Sequence, residues 1–597
     1  MKRLFGWAFA VAALSLGTGA QDAQAQQSCA AGSTVSTAAG QVCGTQQGNL
    51  FAYMGVPYAT PPIPANGLRW QPPTAMAAWQ GVRQATVAGP ICAQGSPPKP
   101  GSSEDCLYLN VWTPSQAVTN GQALPVMVFI HGGAFVIGSG SEPLYNGASL
   151  AETGNAVVVT LNYRLGALGF LAADKAPDGK AGPVPANLGI QDQNFALQWV
   201  QANIKNFGGD PTKVTIFGES AGAMSVGLHL YAVPKSAALF RAAIMESNPM
   251  SVLYRTPTQG SKDGKTYLKM LCDQARWKKC APTVAQLQTA SLDQVMAAQT
   301  AYSAQGSSLW RIIRSGFPEA LPWTPVVDGA FVTGQPLDGY AKGMPAKPTL
   351  FGTNADEGAI FAGIACAGEA TTNGVPNPDA GQLAQCIPAG KKTSPLDPTL
   401  YGEAIAGLFK PINEPRITNF KDPSGNHPYR ASAATGTSFY NGTAQTFAAV
   451  INDQSFQCGN LQSANAALKQ APNNPIWAYR FAQPPLFNSY PTVPTQACAP
   501  GNGQVCHGNE LPYVFNTLSE FVQPVPAADA ALAQAMGQAW TSFAANLAPP
   551  AGWTRYAANG QVQLFQGSGG TMAPGSAQSS NCTALWDKVS PRDPGGN

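Results

Sequence analysis

Charge is what this chain has least of. Asp, Glu, Lys and Arg together make up 11% of its 597 residues. That is too little for a solvated, disordered chain, and the 44% of apolar residues is enough for a large packed core. The 34 Lys and Arg nearly balance the 31 Asp and Glu, for a net charge of +3, and they form no basic run. The electrostatic footprint of a nucleic-acid or anionic-membrane partner is therefore missing. There is no Cys-x-x-Cys pair, and the four histidines are scattered, at 131, 229, 427 and 507, which excludes a zinc site of the usual spacing. Internal repeats are absent. Past the N-terminus, no stretch is long and apolar enough to span a membrane.

What the N-terminus does have reads as an export signal. Lys2 and Arg3 precede an apolar stretch from Leu4 to about Leu16, and Ala23-Gln24-Ala25 supplies a small-x-small cleavage pattern. The stretch is too short for a membrane anchor, and the residues before Cys29 are polar, unlike a lipid-attachment site. The reading is a signal peptide over residues 1–25, followed by one domain over 26–597, secreted or periplasmic. The twelve cysteines fit that compartment as disulfides. Spacing favours near neighbours: Cys29 with Cys43, Cys92 with Cys106, Cys272 with Cys280, Cys366 with Cys386 and Cys498 with Cys506. Cys458 and Cys582 are then left for each other. Spacing ranks these pairings without fixing them.

Along the chain, apolar runs of strand length alternate with helical spacing. Residues 41–60 alternate as a strand pair would, and Leu107 to Trp112 is a further strand. Leu124 to Ile130, Ala156 to Leu161 and Lys213 to Phe217 are apolar runs suited to buried strands. Asn187 to Asn206 has helical spacing, residues 255–320 look mainly helical, and 527–547 is a clear helix. This order predicts an α/β fold, with a large, mostly parallel sheet covered by helices on both faces. Residues 366–440 are rich in Gly, Pro, Asn and Thr and read as an insertion over the active site, or as irregular surface.

The segment Gly218-Glu219-Ser220-Ala221-Gly222 lies between a buried strand and a helical run. Strand, G-x-S-x-G, helix is the context of a nucleophile elbow. The two glycines permit a tight turn, the serine is lifted clear of the sheet, and the helix N-terminus favours negative charge. A bare G-x-S-x-G often marks only a structural turn, so the context carries the reading. An acyl-transfer intermediate also needs N–H donors aimed at its oxyanion. Ala221 offers one, and His131-Gly132-Gly133-Ala134, just past a buried strand, offers more. Of the histidines after Ser220, His229 lies nine residues on in the same helix, about 13.5 Å away by helical rise, and reads as a packed structural residue. His427 sits in a polar loop. His507, between Cys506 and an apolar run, suits a general base. For the acid that orients it, Asp356-Glu357 stands out after a strand-like stretch. The rival is Asp328, whose Asp-Gly step reads more simply as a turn.

These residues resemble the type-B carboxylesterases, relatives of the cholinesterases. Phe207 to Gly222 is similar to that family's serine signature, Glu104 to Pro114 to its second signature, and Asn162 to Phe170 is also family-like. The resemblance spans about residues 36–590 and implies an α/β-hydrolase fold. It implies Glu357 rather than Asp356 as the acid, with Ser220 as nucleophile, His507 as base, and Gly132, Gly133 and Ala221 as oxyanion donors. It further implies bridges 92–106, 272–280 and 458–582, an Arg69–Glu104 ion pair and a structural Asp328. The chain departs from the cholinesterases in two places. The loop between Cys92 and Cys106 has 13 residues and no Trp, and Ile360 stands where those enzymes place an aromatic ring. Aromatic faces hold quaternary ammonium by cation–π attraction, so a choline ester is not the expected substrate.

The function expected is hydrolysis of a small-molecule or polymeric carboxylic ester through an acyl-enzyme on Ser220, with no metal or organic cofactor. A specialised hydrolase of aromatic esters, polyesters or lipids would use the same residues. A non-catalytic binding relative would typically have lost the serine or its partners, and this chain keeps all three.

Overall fold

The computed structural model describes residues 28–175, 181–278, 280, 282–306, 321–336, 347–362, 398–431, 442–489, 498–557, 562–567, 573–575 and 579–589. The segment read as a signal peptide, and Cys366 with Cys386, lie outside the described residues, as does most of the stretch read as an insertion. The described part of that stretch carries helices Pro398–Phe409 and Glu414–Thr418, and Tyr401, Ala404 and Ile405 join the main core.

The apolar runs become strands of one large sheet. In chain order these are β1 (Thr45–Gln47), β2 (Leu50–Pro57), β3 (Tyr108–Pro114), β4 (Leu124–Ile130), β5 (Val157–Leu161) and β6 (Gly209–Glu219). They continue with β7 (Ala242–Glu246), β8 (Thr349–Asn354), β9 (Ile476–Phe481), β10 (Val562–Phe565) and β11 (Ala573–Gly575). Their spatial order is β11-β10-β9-β8-β7-β6-β4-β5-β3-β2-β1. From β10 to β5 every pairing is parallel. The antiparallel pairings lie at the edges, β11 on β10 and β3, β2, β1 beyond β5. This is the α/β-hydrolase fold.

Both faces of the sheet are buried, which is why its central strands are apolar throughout rather than alternating. Side chains of period two divide between two cores. Val126, Val128 and Ile130 of β4 point into one, and Met127 and Phe129 into the other. The first core is covered by α1 (Leu188–Asn203), α2 (Ala221–Tyr231), α3 (Pro257–Ala275) and α4 (Leu292–Gly306); the second by α5 (Ala527–Asn546). The expected helices at 187–206, 255–320 and 527–547 are therefore present over most of the described part of each segment.

Five of the six expected bridges are formed: Cys29–Cys43, Cys92–Cys106, Cys272–Cys280, Cys458–Cys582 and Cys498–Cys506. Arg69 and Glu104 form the expected buried ion pair, with Arg69 Nε 2.6 Å from Oε2 of Glu104. Asp328 turns out to be a loop organiser. Its Oδ1 accepts the N–H groups of Ala330, Phe331 and Val332, and its Oδ2 accepts from Asn187.

The topology also fixes where a site can form. From β4 the chain goes to β5 on one side, then returns to β6 on the other and continues outward through β7 and β8. The order reverses at β4 and β6, and parallel sheets leave a crevice beyond the carboxyl ends at such a point.

Candidate active site

Ser220 stands at that crevice, between the end of β6 and the start of α2. Its backbone is held at φ 56°, ψ −123°, a strained conformation for a residue with a side chain and one that the surrounding packing has to enforce. The enforcement is visible at the flanking glycines. A Cβ on Gly218 would lie 2.6 Å from the carbonyl oxygen of Ile130 and 2.7 Å from the carbonyl carbon of Gly222; a Cβ on Gly222 would lie 1.9 Å from Ile130 O. The glycines let the turn close on itself, as the sequence suggested, and they also let it press against the end of β4. Ser220 N–H donates to Glu246 O of β7 at 3.0 Å. The elbow is thus pinned between its two neighbouring strands.

The end of β4 brings the oxyanion candidates to the same place. A Cβ on Gly132 would sit 3.1 Å from Ser220 Cβ, so this backbone lies directly against the serine. His131 holds the loop from below. It is buried, stacks on Tyr163 with ring centroids 4.5 Å apart, and places Nδ1 2.7 Å from Gly132 O. Burial pushes its pKa down to about 4, so the ring stays neutral and serves the loop. Ala221 opens α2, so its N–H is one of the four with no acceptor inside the helix.

Glu357 follows β8 and is fully buried. Its Oε2 lies 2.6 Å from Nδ1 of His507, its Oε1 accepts the Asn354 N–H at 2.6 Å, and its own N–H donates to Asn452 Oδ1. Asp356 points elsewhere. Its Oδ2 accepts the Val505 N–H at 2.9 Å, and its own N–H donates to Val505 O. The two adjacent acids therefore have different tasks: one meets the imidazole, the other clamps the chain two residues before it. The imidazole itself is flanked by Phe361 and Phe456, with ring centroids 5.2 and 5.1 Å away. The residue before it, Cys506, is tied to Cys498, donates its N–H to Asn509 Oδ1 and accepts from Asn354 Nδ2.

Gly132, Gly133, Ser220 and His507 line one cavity. The other histidines stay out of it. His229 is buried on Ser236 and Gln193, at 2.7 and 3.1 Å, and His427 sits against Phe420 O. Both sequence readings hold.

Three carboxyls were not singled out from sequence, two of them acting on the imidazole and the third, Glu246, lying behind those two. Glu219, next to the serine, has Oε1 3.2 Å from His507 Nε2. Glu510, three residues after the histidine, bonds to Asn354 Nδ2 and Ser247 Oγ. Glu246, at the end of β7, accepts from Trp540 Nε1 at 2.9 Å. Burial raises all three pKa values. For Glu219, the nearby imidazole opposes that rise, while Glu510 and Glu357 add to it. For His507, burial alone would favour the neutral ring, but Glu219, Glu357 and Glu510 outweigh it and lift the pKa above its ordinary value. The cluster retains protons that isolated groups would lose, and an imidazolium formed during a reaction would be held by several carboxylates. The signal available in sequence was position alone, a Glu beside Ser220 and another close after His507.

The carboxylesterase family model matches residues 31–571. The chain is 31% identical over 551 residues to fumonisin B1 esterase of Sphingopyxis macrogoltabida, covering 89% of this chain and 85% of that one. It is 28% identical over 586 residues to acetylcholinesterase of Bungarus fasciatus, covering 94% and 86%. A thermophilic PNB esterase structure superposes with a TM-score of 0.71 at 29% identity, covering 93% of this chain and all of that one. With a sheet, an elbow and a cavity of this form, and with these relatives, the chain belongs to the carboxylesterase family and is a carboxylic ester hydrolase.

Proposed function

We propose that the protein is an exported serine carboxylesterase that works through an acyl-enzyme on Ser220. The observation that carries this reading is the 2.6 Å contact of Glu357 Oε2 with His507 Nδ1, in the cavity that Ser220 lines. Ser220 Oγ attacks the ester carbonyl as His507 Nε2 takes its proton. The oxyanion is held by the N–H groups of Gly132, Gly133 and Ala221, and Glu357 stabilises the imidazolium. His507 returns the proton to the departing alcohol. Water, with His507 again as base, then releases the acid. All of these groups belong to the chain, and the scheme calls on no cofactor.

Export is supported by the basic, apolar and small-residue order of residues 1–25 and by five disulfides in the described residues. No helix among the described residues is long and apolar enough to cross a membrane. The relatives' names point to quite different esters, so the pocket rather than the triad decides the substrate. The test is Ser220→Ala. The variant is expected to keep the fold by circular dichroism and melting temperature and to lose hydrolysis of a simple aryl ester. Normal turnover would overturn the assignment.

A further inference from the structure

Glu142 is a carboxyl group that the proposed chemistry does not use, yet it lines the same cavity as Ser220 and His507. Its backbone is held firmly. It caps the short turn Pro143–Tyr145, and Tyr145 is buried, with its ring 4.7 Å from Phe129 and 5.7 Å from Phe515. The turn therefore holds the backbone of Glu142 at the cavity wall. Among the described residues no Lys or Arg comes within 4.0 Å of it, and no Lys or Arg lines the cavity. Lys99, on the loop closed by Cys92 and Cys106, acts on it only at longer range. That loop meets the cavity wall through Gln94, whose amide exchanges two hydrogen bonds with the backbone of Gly138, at 3.0 and 3.1 Å. It brings no aromatic ring there.

The Glu142 carboxyl feels the backbone of Ser139 and, at longer range, Lys99. It has no cationic side chain against it among the described residues, in a cavity whose lining includes Phe361, Phe487 and Phe521. A partly desolvated carboxylate without a cationic partner is costly. The cost is removed if the partner arrives with the ligand. On the reading that Ser220 is an esterase nucleophile, we infer that Glu142 is a specificity-determining residue that selects esters carrying a protonated amine. A carboxylate differs from an aromatic platform in what it favours. It gains from an N–H donor through a charge-assisted hydrogen bond, which a quaternary ammonium cannot supply. Anionic esters meet two carboxyl groups in the cavity, Glu142 and Glu219, and are expected to be poor substrates.

The test uses two matched pairs of esters in mildly alkaline buffer. In the first, dimethylaminoethyl butyrate is compared with isoamyl butyrate, so the amine is in the alcohol. In the second, isoamyl dimethylaminobutyrate is compared with its all-carbon isostere, so the amine is in the acid. The readout is the ratio of kcat/KM within each pair, for the wild type and for Glu142→Gln. The expected result is a preference for the amine in at least one pair, and a tenfold or greater fall of that ratio in the variant, mostly through KM. The pair that responds identifies which half of the ester faces Glu142. If both ratios are unchanged by the substitution, the inference is overturned while the esterase reading stands. If the wild type hydrolyses none of the four esters and no simple aryl ester, the esterase reading itself fails.

Discussion

Replacing Glu357 with Gln separates the two adjacent acids. In the wild type the carboxylate meets two donors, His507 Nδ1–H on Oε2 and Asn354 N–H on Oε1, each at 2.6 Å. A Gln amide has one oxygen for both donors, so either the imidazole or the backbone N–H loses its acceptor. In a buried site that costs about 1–3 kcal/mol. The larger loss is of charge. At a charge separation of about 4 Å and an effective dielectric of about 20, the carboxylate stabilises the imidazolium by about 4 kcal/mol. Each 1.36 kcal/mol is a factor of about ten in rate, so kcat is expected to fall about a thousandfold. Asp356→Asn is the control. Asn keeps an oxygen that can accept the Val505 N–H, and Asp356 makes no contact with the imidazole among the bonds described. Its kcat is expected within about threefold of wild type. The assay is hydrolysis of a chromogenic aryl ester, with active-site titration and melting temperature to confirm folded enzyme. Equal losses in the two variants, or a greater loss at Asp356, would refute the reasoning.

Glu219→Gln removes the carboxylate 3.2 Å from His507 Nε2, one of the groups that hold the imidazole's pKa up. A lower pKa leaves the base neutral at lower pH, so the acid limb of the kcat/KM profile should move to lower pH; an unmoved or rising limb would count against the coupling. Closing the loop between Cys498 and Cys506, eight positions apart, contributes roughly 2.5 kcal/mol of chain entropy, modest for a large enzyme. The double variant Cys498→Ser/Cys506→Ser is expected to stay folded while kcat falls severalfold, because the base depends on that anchor; a lower melting temperature with unchanged kcat would make the bridge a staple alone, and free thiols in active protein would show that it does not form.

Much of the fold was legible because the central strands are buried on both faces. Leu124 to Ile130 and Ala156 to Leu161 carry no polar alternation beyond Thr160, and such runs between helical segments leave few architectures. The elbow was legible for a local reason, since strand, tight turn and helix all fall within a few residues of Ser220. The choice between Asp356 and Glu357 was not local. It depends on which side of a turn faces a loop some 150 residues on, and only the family resemblance indicated it. The carboxyl cluster was less legible still. Glu219, Glu246 and Glu510 meet because β6 and β7 end side by side and the loop carrying His507 folds over them. No periodicity or spacing encodes that meeting. Glu142 was not legible for a related reason: in sequence it is one acid beside a proline, and its place in the cavity lining follows from the tertiary fold.

The central claim, that Ser220 is the nucleophile of an acyl-enzyme, is tested most directly by labelling the intact protein with a fluorophosphonate and mapping the adduct by mass spectrometry. The account predicts one adduct per chain, on Ser220, formed in step with loss of esterase activity and absent from Ser220→Ala. An adduct on another residue that tracks the loss of activity, or full ester turnover in protein that takes up no label, would contradict it.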